Sequence, residues 1–125
     1  MQMNLTIELE LDPTAGGGPV RNLWIRNRGA AVAQATLQIR STGKALVPLE
    51  IPLSPLESNT RTQIPQAQQL RYDLPYLRSL CHNLTTEMVL SIVCDGRELY
   101  SRAEQFSVDK ACLLPEGTEF EEMIP

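Results

Sequence analysis

The chain has 125 residues, 42% hydrophobic and 21% charged, with a formal net charge of −4. This length suits one domain able to bury roughly two-thirds of the surface its unfolded form exposes, and no apolar run approaches the roughly 20 residues needed to span a bilayer. Glu116, Glu119, Glu121 and Glu122 lie in the last ten residues with no basic neighbour, and setting them aside leaves acids and bases equal in number. A neutral body with an acidic tail does not suit nucleic-acid binding, which recruits phosphates with a clustered basic face.

Leu5, Ile7, Leu9 and Leu11 alternate with Thr6, Glu8 and Glu10, which predicts a first strand with an aliphatic inner face and an acidic outer one. Asp12-Pro13 ends it, and Gly16-Gly17-Gly18 connects flexibly to a second strand at Val20. That glycine run lacks the Lys-Ser/Thr and following helix of a phosphate-binding loop. Leu23 and Ile25 face inward on the second strand, and Asn27-Arg28-Gly29 makes a turn with residues that tolerate positive φ. A third strand follows from Ala31, with Ala31, Ala33, Ala35, Leu37 and Ile39 on its inner face.

Ser41 to Lys44 is a turn, and Ala45, Val47, Leu49, Ile51 and Leu53 share one parity of a fourth strand. Pro48 and Pro52 on the other parity put this strand at a sheet edge, because proline cannot donate to a ladder. Thr60 to Ile64 is a short fifth strand. Leu70, Leu74, Leu77 and Leu80 then break the two-residue period, and Asp73 before Leu74-Pro75 fits a helix cap with proline in the first turn. One or two helical turns over 75–80 should plug one end of the core.

Met88, Leu90, Ile92 and Cys94 alternate up to Asp95-Gly96, the dipeptide of two-residue type I′ hairpins. This turn predicts Cys94 opposite Arg97, Ile92 opposite Leu99 and Leu90 opposite Ser101. Phe106 and Val108 have the opposite parity to Leu99, so a bulge is expected near 103–105. The fold class predicted is all-β: a seven-stranded antiparallel immunoglobulin-like β-sandwich over 1–113, with one short helix between strands five and six and an acidic tail or linker over 114–125. Strands one, two and five should form one sheet and strands three, six and seven the other, with strand four at an edge.

Asn27-Arg28-Gly29 followed by Ala31-Val32-Ala33-Gln34-Ala35 resembles bacterial immunoglobulin-like and fibronectin type III-like modules, in which a strand ending Asn-x-Gly precedes small alternating residues. Val20 to Asn27, the segment Asp73-Leu74-Pro75-Tyr76-Leu77-Arg78-Ser79-Leu80 and the strand pair around Asp95-Gly96 are similar to the amino-terminal sandwich domains of large bacterial helicase-nuclease proteins. Those domains continue into an aromatic-containing segment where this chain reads Asp109-Lys110-Ala111-Cys112-Leu113-Leu114. The second resemblance implies an accessory module carrying none of the motor or nuclease residues.

The function expected is therefore a non-catalytic interaction or accessory domain, working through a sheet face on a protein partner, on other domains of a longer chain or on a second copy. Trp24 has outward parity if Leu23 and Ile25 are inside, and Val32, Val89, Val93 and Tyr100 would gather on the outer face of the other sheet. These five are the candidate interaction surface. No catalytic residue, cofactor or metal site is expected, nor direct contact with nucleic acid or membrane.

Two rival readings rest on other residues. A small hydrolase or metal-dependent enzyme would need Cys81, the lone histidine His82 and a carboxylate to converge. A zinc site from Cys81, His82, Cys94 and Cys112 has suitable ligands but no Cys-x-x-Cys knuckle. Asn4 and Asn83 each begin an Asn-Leu-Thr acceptor tripeptide, and glycosylation of exported protein at Asn83 would favour an extracellular adhesion or carbohydrate-binding module. Three cysteines at irregular spacing and a start without a basic and then apolar leader favour free thiols in the cytoplasm instead.

Overall fold

The computed structural model describes residues 4–11, 19–79 and 84–108. Seven strands run as β1 (Leu5–Leu11), β2 (Val20–Asn27), β3 (Ala35–Ser41), β4 (Leu49–Leu53), β5 (Thr60–Gln63), β6 (Leu84–Cys94) and β7 (Arg97–Val108). They form two antiparallel sheets, ordered β1-β2-β5 and β4-β3-β6-β7, with β4 at an edge as its prolines require. One hydrophobic cluster draws on both sheets: Ile7, Leu23 and Ile25 from the first, Leu37, Ile39, Met88, Leu90 and Ile92 from the second, all essentially buried. Burying these aliphatic faces from water supplies the main drive to fold, about 1.5–3 kcal/mol for each large side chain.

Between β5 and β6 the chain makes a 3-10 turn at Pro65–Gln69 and then the single helical turn α1 (Leu74–Arg78). The Asp73 carboxylate caps α1 by accepting from the Tyr76 amide at 3.2 Å. Leu70 and Leu77 are buried beneath this crossing.

Leu37, Ile39 and Ile51 face inward as the alternation predicts, but the segments leading into β3 and β4 depart from it. β3 begins at Ala35, and Ala31 and Ala33 are exposed while Val32 is buried. Val32 and Leu56 exchange both backbone hydrogen bonds, at 2.9 and 2.8 Å, so this residue packs inside and takes no part in an outward patch. A run of alanines gives little energetic preference between faces; the larger valine decides the orientation. In the same way, Leu46 bridges Tyr72 and is buried, leaving Val47 49% exposed ahead of β4.

The turn between β2 and β3 is built by a side chain. Asn27, 1% exposed, donates through Nδ2 to the carbonyls of Ala30 (2.9 Å) and Leu56 (3.1 Å), and its Oδ1 accepts from the Gly29 amide at 2.9 Å. Neither Asn27 nor Gly29 has positive φ. Gly29 is needed for closeness instead, since a Cβ there would lie 3.2 Å from the Asn4 backbone nitrogen. Positive φ occurs in the β6–β7 turn, at Asp95 (51°) and Gly96 (75°), as a type I′ turn demands.

The β6–β7 register is also corrected. Cys94 pairs with Arg97 and Val93 with Glu98, but a shift beside the turn then sets Ile92 opposite Tyr100 and Leu90 opposite Arg102. The extra residue is Leu99, not one near 103–105. This offset turns Tyr100 to the side of Ile92, where it is half-buried and packs against the core, so it too leaves the predicted outer patch. Phe106 and Val108 gain the inward parity they need. Arg102, on that inward side, reaches β1 and donates from Nη1 to the Ile7 carbonyl at 2.6 Å, while Nη2 pairs with Glu104 at 2.9 Å.

Candidate functional site

Parity on the first sheet sends Thr6, Glu8, Glu10, Asn22, Trp24, Arg26, Arg61 and Gln63 to its outer face. Register places Trp24 between Glu8 and Gln63, and Arg26 between Thr6 and Arg61. The Trp24 ring is half-buried, and what covers it is Arg61, whose guanidinium carbon lies 4.4 Å from the ring centroid. Glu8 fixes that cation: its Oε1 accepts from Arg61 Nε at 2.7 Å and its Oε2 from Arg26 Nε at 2.9 Å.

The Arg26 hydrogen bond, with that of Arg61 next, holds the Glu8 carboxyl below its ordinary pKa despite the opposing effect of burial. Glu8 thus stays ionised, as counter-ion and acceptor for both arginines, to lower pH than an ordinary glutamate. Further along the face, Asn22 donates to Glu10 at 2.9 Å, Gln63 donates to Asn22 at 3.2 Å, and Arg21 approaches Glu10 at 3.5 Å.

At the Asn27 end of β2 the face opens into a cleft of about 440 Å³ lined by Arg26, Asn27, Arg28, Asn59, Thr60 and Arg61. The frame around it is fixed by hydrogen bonds. The Arg28 amide donates to the Asn4 carbonyl at 2.9 Å, and the Ser58 hydroxyl donates to the Gly29 carbonyl at 2.6 Å. Asn59 turns the chain at φ 58°, and the Thr60 hydroxyl donates to the Glu57 carbonyl at 2.6 Å. Arg28 itself is exposed, with no acidic partner among the described residues.

The other predicted surface residues do not join this site. Val89 and Val93 stand half-buried on the outer face of β6, beside Arg40 and Ala103 and beside Thr36 and Glu98 respectively. They are four positions apart, about 13 Å along a strand. Ser91 lies between, its hydroxyl donating to Glu98 at 3.1 Å. With Val32 and Tyr100 turned inward, the two valines form no continuous apolar patch with Trp24, which belongs to the other sheet.

Cys81, His82, Asn83, Cys112 and the acidic tail lie outside the described residues. Cys94 is a half-buried free thiol at the turn. Among the described residues, no three His, Cys, Asp or Glu side chains cluster so as to hold a metal ion, and no helix is long and apolar enough to cross a membrane.

Sequence reasoning singled out Trp24 but missed Arg61. The outward parity of Arg61 was legible in Thr60-Arg61-Thr62-Gln63, yet its position over the ring follows only from the pairing of β5 with β2. No protein-family profile, curated protein or solved structure matches this chain.

Proposed function

We propose that the two sheets constitute an immunoglobulin-like sandwich, of the kind the Asn27-Arg28-Gly29 segment resembles, and that it serves as a non-catalytic interaction or accessory domain. Its working surface is the outer face of β1-β2-β5, centred on Trp24, and its partner is a protein. The sheet orders favour this reading, because β2 to β3 and β4 to β5 each cross between sheets as in a Greek-key sandwich.

The observation that carries the reading is Trp24 stacked under Arg61. Tryptophan and arginine are residue types that dominate the energetics of protein interfaces; here the arginine is held by Glu8, and the ring makes no contribution to the core cluster. Pinning Arg61 to Glu8 before a partner arrives lowers the entropy cost of ordering it on binding.

A photocrosslinking residue in place of Gln63, on this face, or of Glu50, on the outer face of the other sheet, tests it. The reading expects adducts with a defined protein from position 63 and not from position 50. Binding rebuilt from the purified pair should weaken at least about tenfold in Trp24→Ala, as for an interface anchor. Equal adducts from both positions, or unchanged affinity in Trp24→Ala and Arg61→Ala, would refute it.

A further inference from the structure

We infer that the cleft beside Trp24 recognises an acidic peptide segment of the partner, extended and carrying carboxylates on alternate residues. Two arginines, at 26 and 61, stand on the outer face with Glu8 and Glu10; Arg21 reaches Glu10 from the irregularity beside it, and Arg28 follows the end of β2. Glu10 is occupied with Arg21 and Asn22, and Glu8 alone serves both Arg26 and Arg61. Positive charge is therefore left over, and it is concentrated where Arg26, Arg28 and Arg61 line one cleft.

Spacing narrows the ligand. Arg26 and Arg28 both line the cleft on either side of buried Asn27, the last residue of β2, so their side chains leave the backbone about 7 Å apart, the repeat of alternate residues on an extended strand. A partner strand with glutamates or aspartates at i and i+2 presents charges at the same interval. Each guanidinium keeps donors to spare, since Glu8 is engaged only through the two Nε atoms. Asn59 and Thr60 on the cleft wall add neutral polar side chains suited to the peptide's own amides.

The same features disfavour a nucleic acid. Trp24 is the only tryptophan, and among the described residues no second aromatic shares its face to stack successive bases. Glu8 and Glu10 occupy the ground over which a phosphate backbone would continue, and they would repel it.

This inference rests on the reading of the Trp24 face as an interaction surface, but its test is separate. The lone tryptophan reports on the cleft through Arg61, which lines the cleft and covers the ring. Its emission in the full chain is followed during titration with three probes: a five-residue capped peptide Gly-Glu-Thr-Glu-Gly, its isomer with adjacent glutamates, and oligothymidylate. The alternating peptide should bind more tightly than its isomer, and raising salt from 0.05 to 1 M, which shortens the screening length from over 10 Å to about 3 Å, should release it. Arg28→Ala, an exposed position whose loss leaves the core intact, should weaken binding about tenfold, as expected for one lost charge-assisted contact.

The inference falls if the alternating peptide leaves Trp24 unmoved at millimolar concentration, if Arg28→Ala binds it as well as the parent, or if oligothymidylate binds more tightly than either peptide. Should it fall while a purified partner still depends on Trp24, the acidic chemistry is wrong and the interaction surface stands. Should the peptide bind as expected while no partner needs Trp24, the reverse holds.

Discussion

Asn27→Ala offers the most direct check on how the β2–β3 connection is built. The substitution removes two donated hydrogen bonds, to Ala30 and Leu56, and one accepted from Gly29. The three groups left behind are not equally costly. The Leu56 carbonyl keeps its bond from Val32, and the Ala30 carbonyl belongs to an exposed residue that water can reach. The Gly29 amide is half-buried and loses its partner. Taking about 1 kcal/mol net for each bond, and a further fraction for the small void left by the amide, the cost comes to about 2–4 kcal/mol. Urea unfolding followed by tyrosine and tryptophan fluorescence would measure it. With a slope of about 2 kcal/mol per molar, the midpoint should fall by about 1–2 M while the slope is unchanged. A loss below about 1 kcal/mol would mean that the backbone holds this turn without the side chain, refuting the account of Asn27 as its organiser.

Three further predictions follow from other parts of the molecule. Glu8 has a depressed folded-state pKa, so its pairing stabilises the protein above the ordinary glutamate range and is lost as pH falls through the folded value. A carboxyl-detected NMR titration should find Glu8 titrating below the other glutamates, and Arg26→Ala should raise its pKa; an ordinary value in the parent protein would contradict the bridging geometry. Gly96→Ala should cost about 1 kcal/mol through backbone strain alone, since its φ is 75° and nothing lies within 4 Å of the added Cβ; a neutral result in thermal unfolding would argue against the type I′ turn. Deleting Leu99 should be tolerated, because it removes the bulge and leaves Tyr100 opposite Ile92, whereas deleting Ala103 shifts Phe106 and Val108 relative to β6 and should abolish the cooperative unfolding transition. The reverse ranking would refute the register.

The hydrophobic period revealed most of the architecture because Leu, Ile and Met strongly prefer one face over the other. Where β1, β2, β6 and the inner half of β3 carry such residues, their orientation was readable, and the two β-edge prolines placed β4. Alanine carries little of that preference, so the alternation misplaces the approach to β3 and points Val32 outward although it is buried. The hairpin shows a different limit. That two inward groups of opposite parity required one extra residue was evident, but its position depends on local twist beside the turn, which no pattern encodes. For the candidate site, outward parity exposed Trp24, while its stacking with Arg61 and the cleft beyond depend on which strands adjoin, a long-range property.

Arg102 has an implication for how copies of this protein coexist in a crowded solution. Every open sheet ends in rows of unpaired amides and carbonyls that invite strand-on-strand growth. By clasping the carbonyl of Ile7, this arginine puts a charged group across the β1 margin and ties it to the neighbouring β7. Pro52 interrupts the margin of β4, and β5 at four residues is too brief a template for extended stacking. Protection against fibrillar association is thus distributed over several inexpensive devices, and replacing Arg102 with a neutral residue is where this defence would first give way.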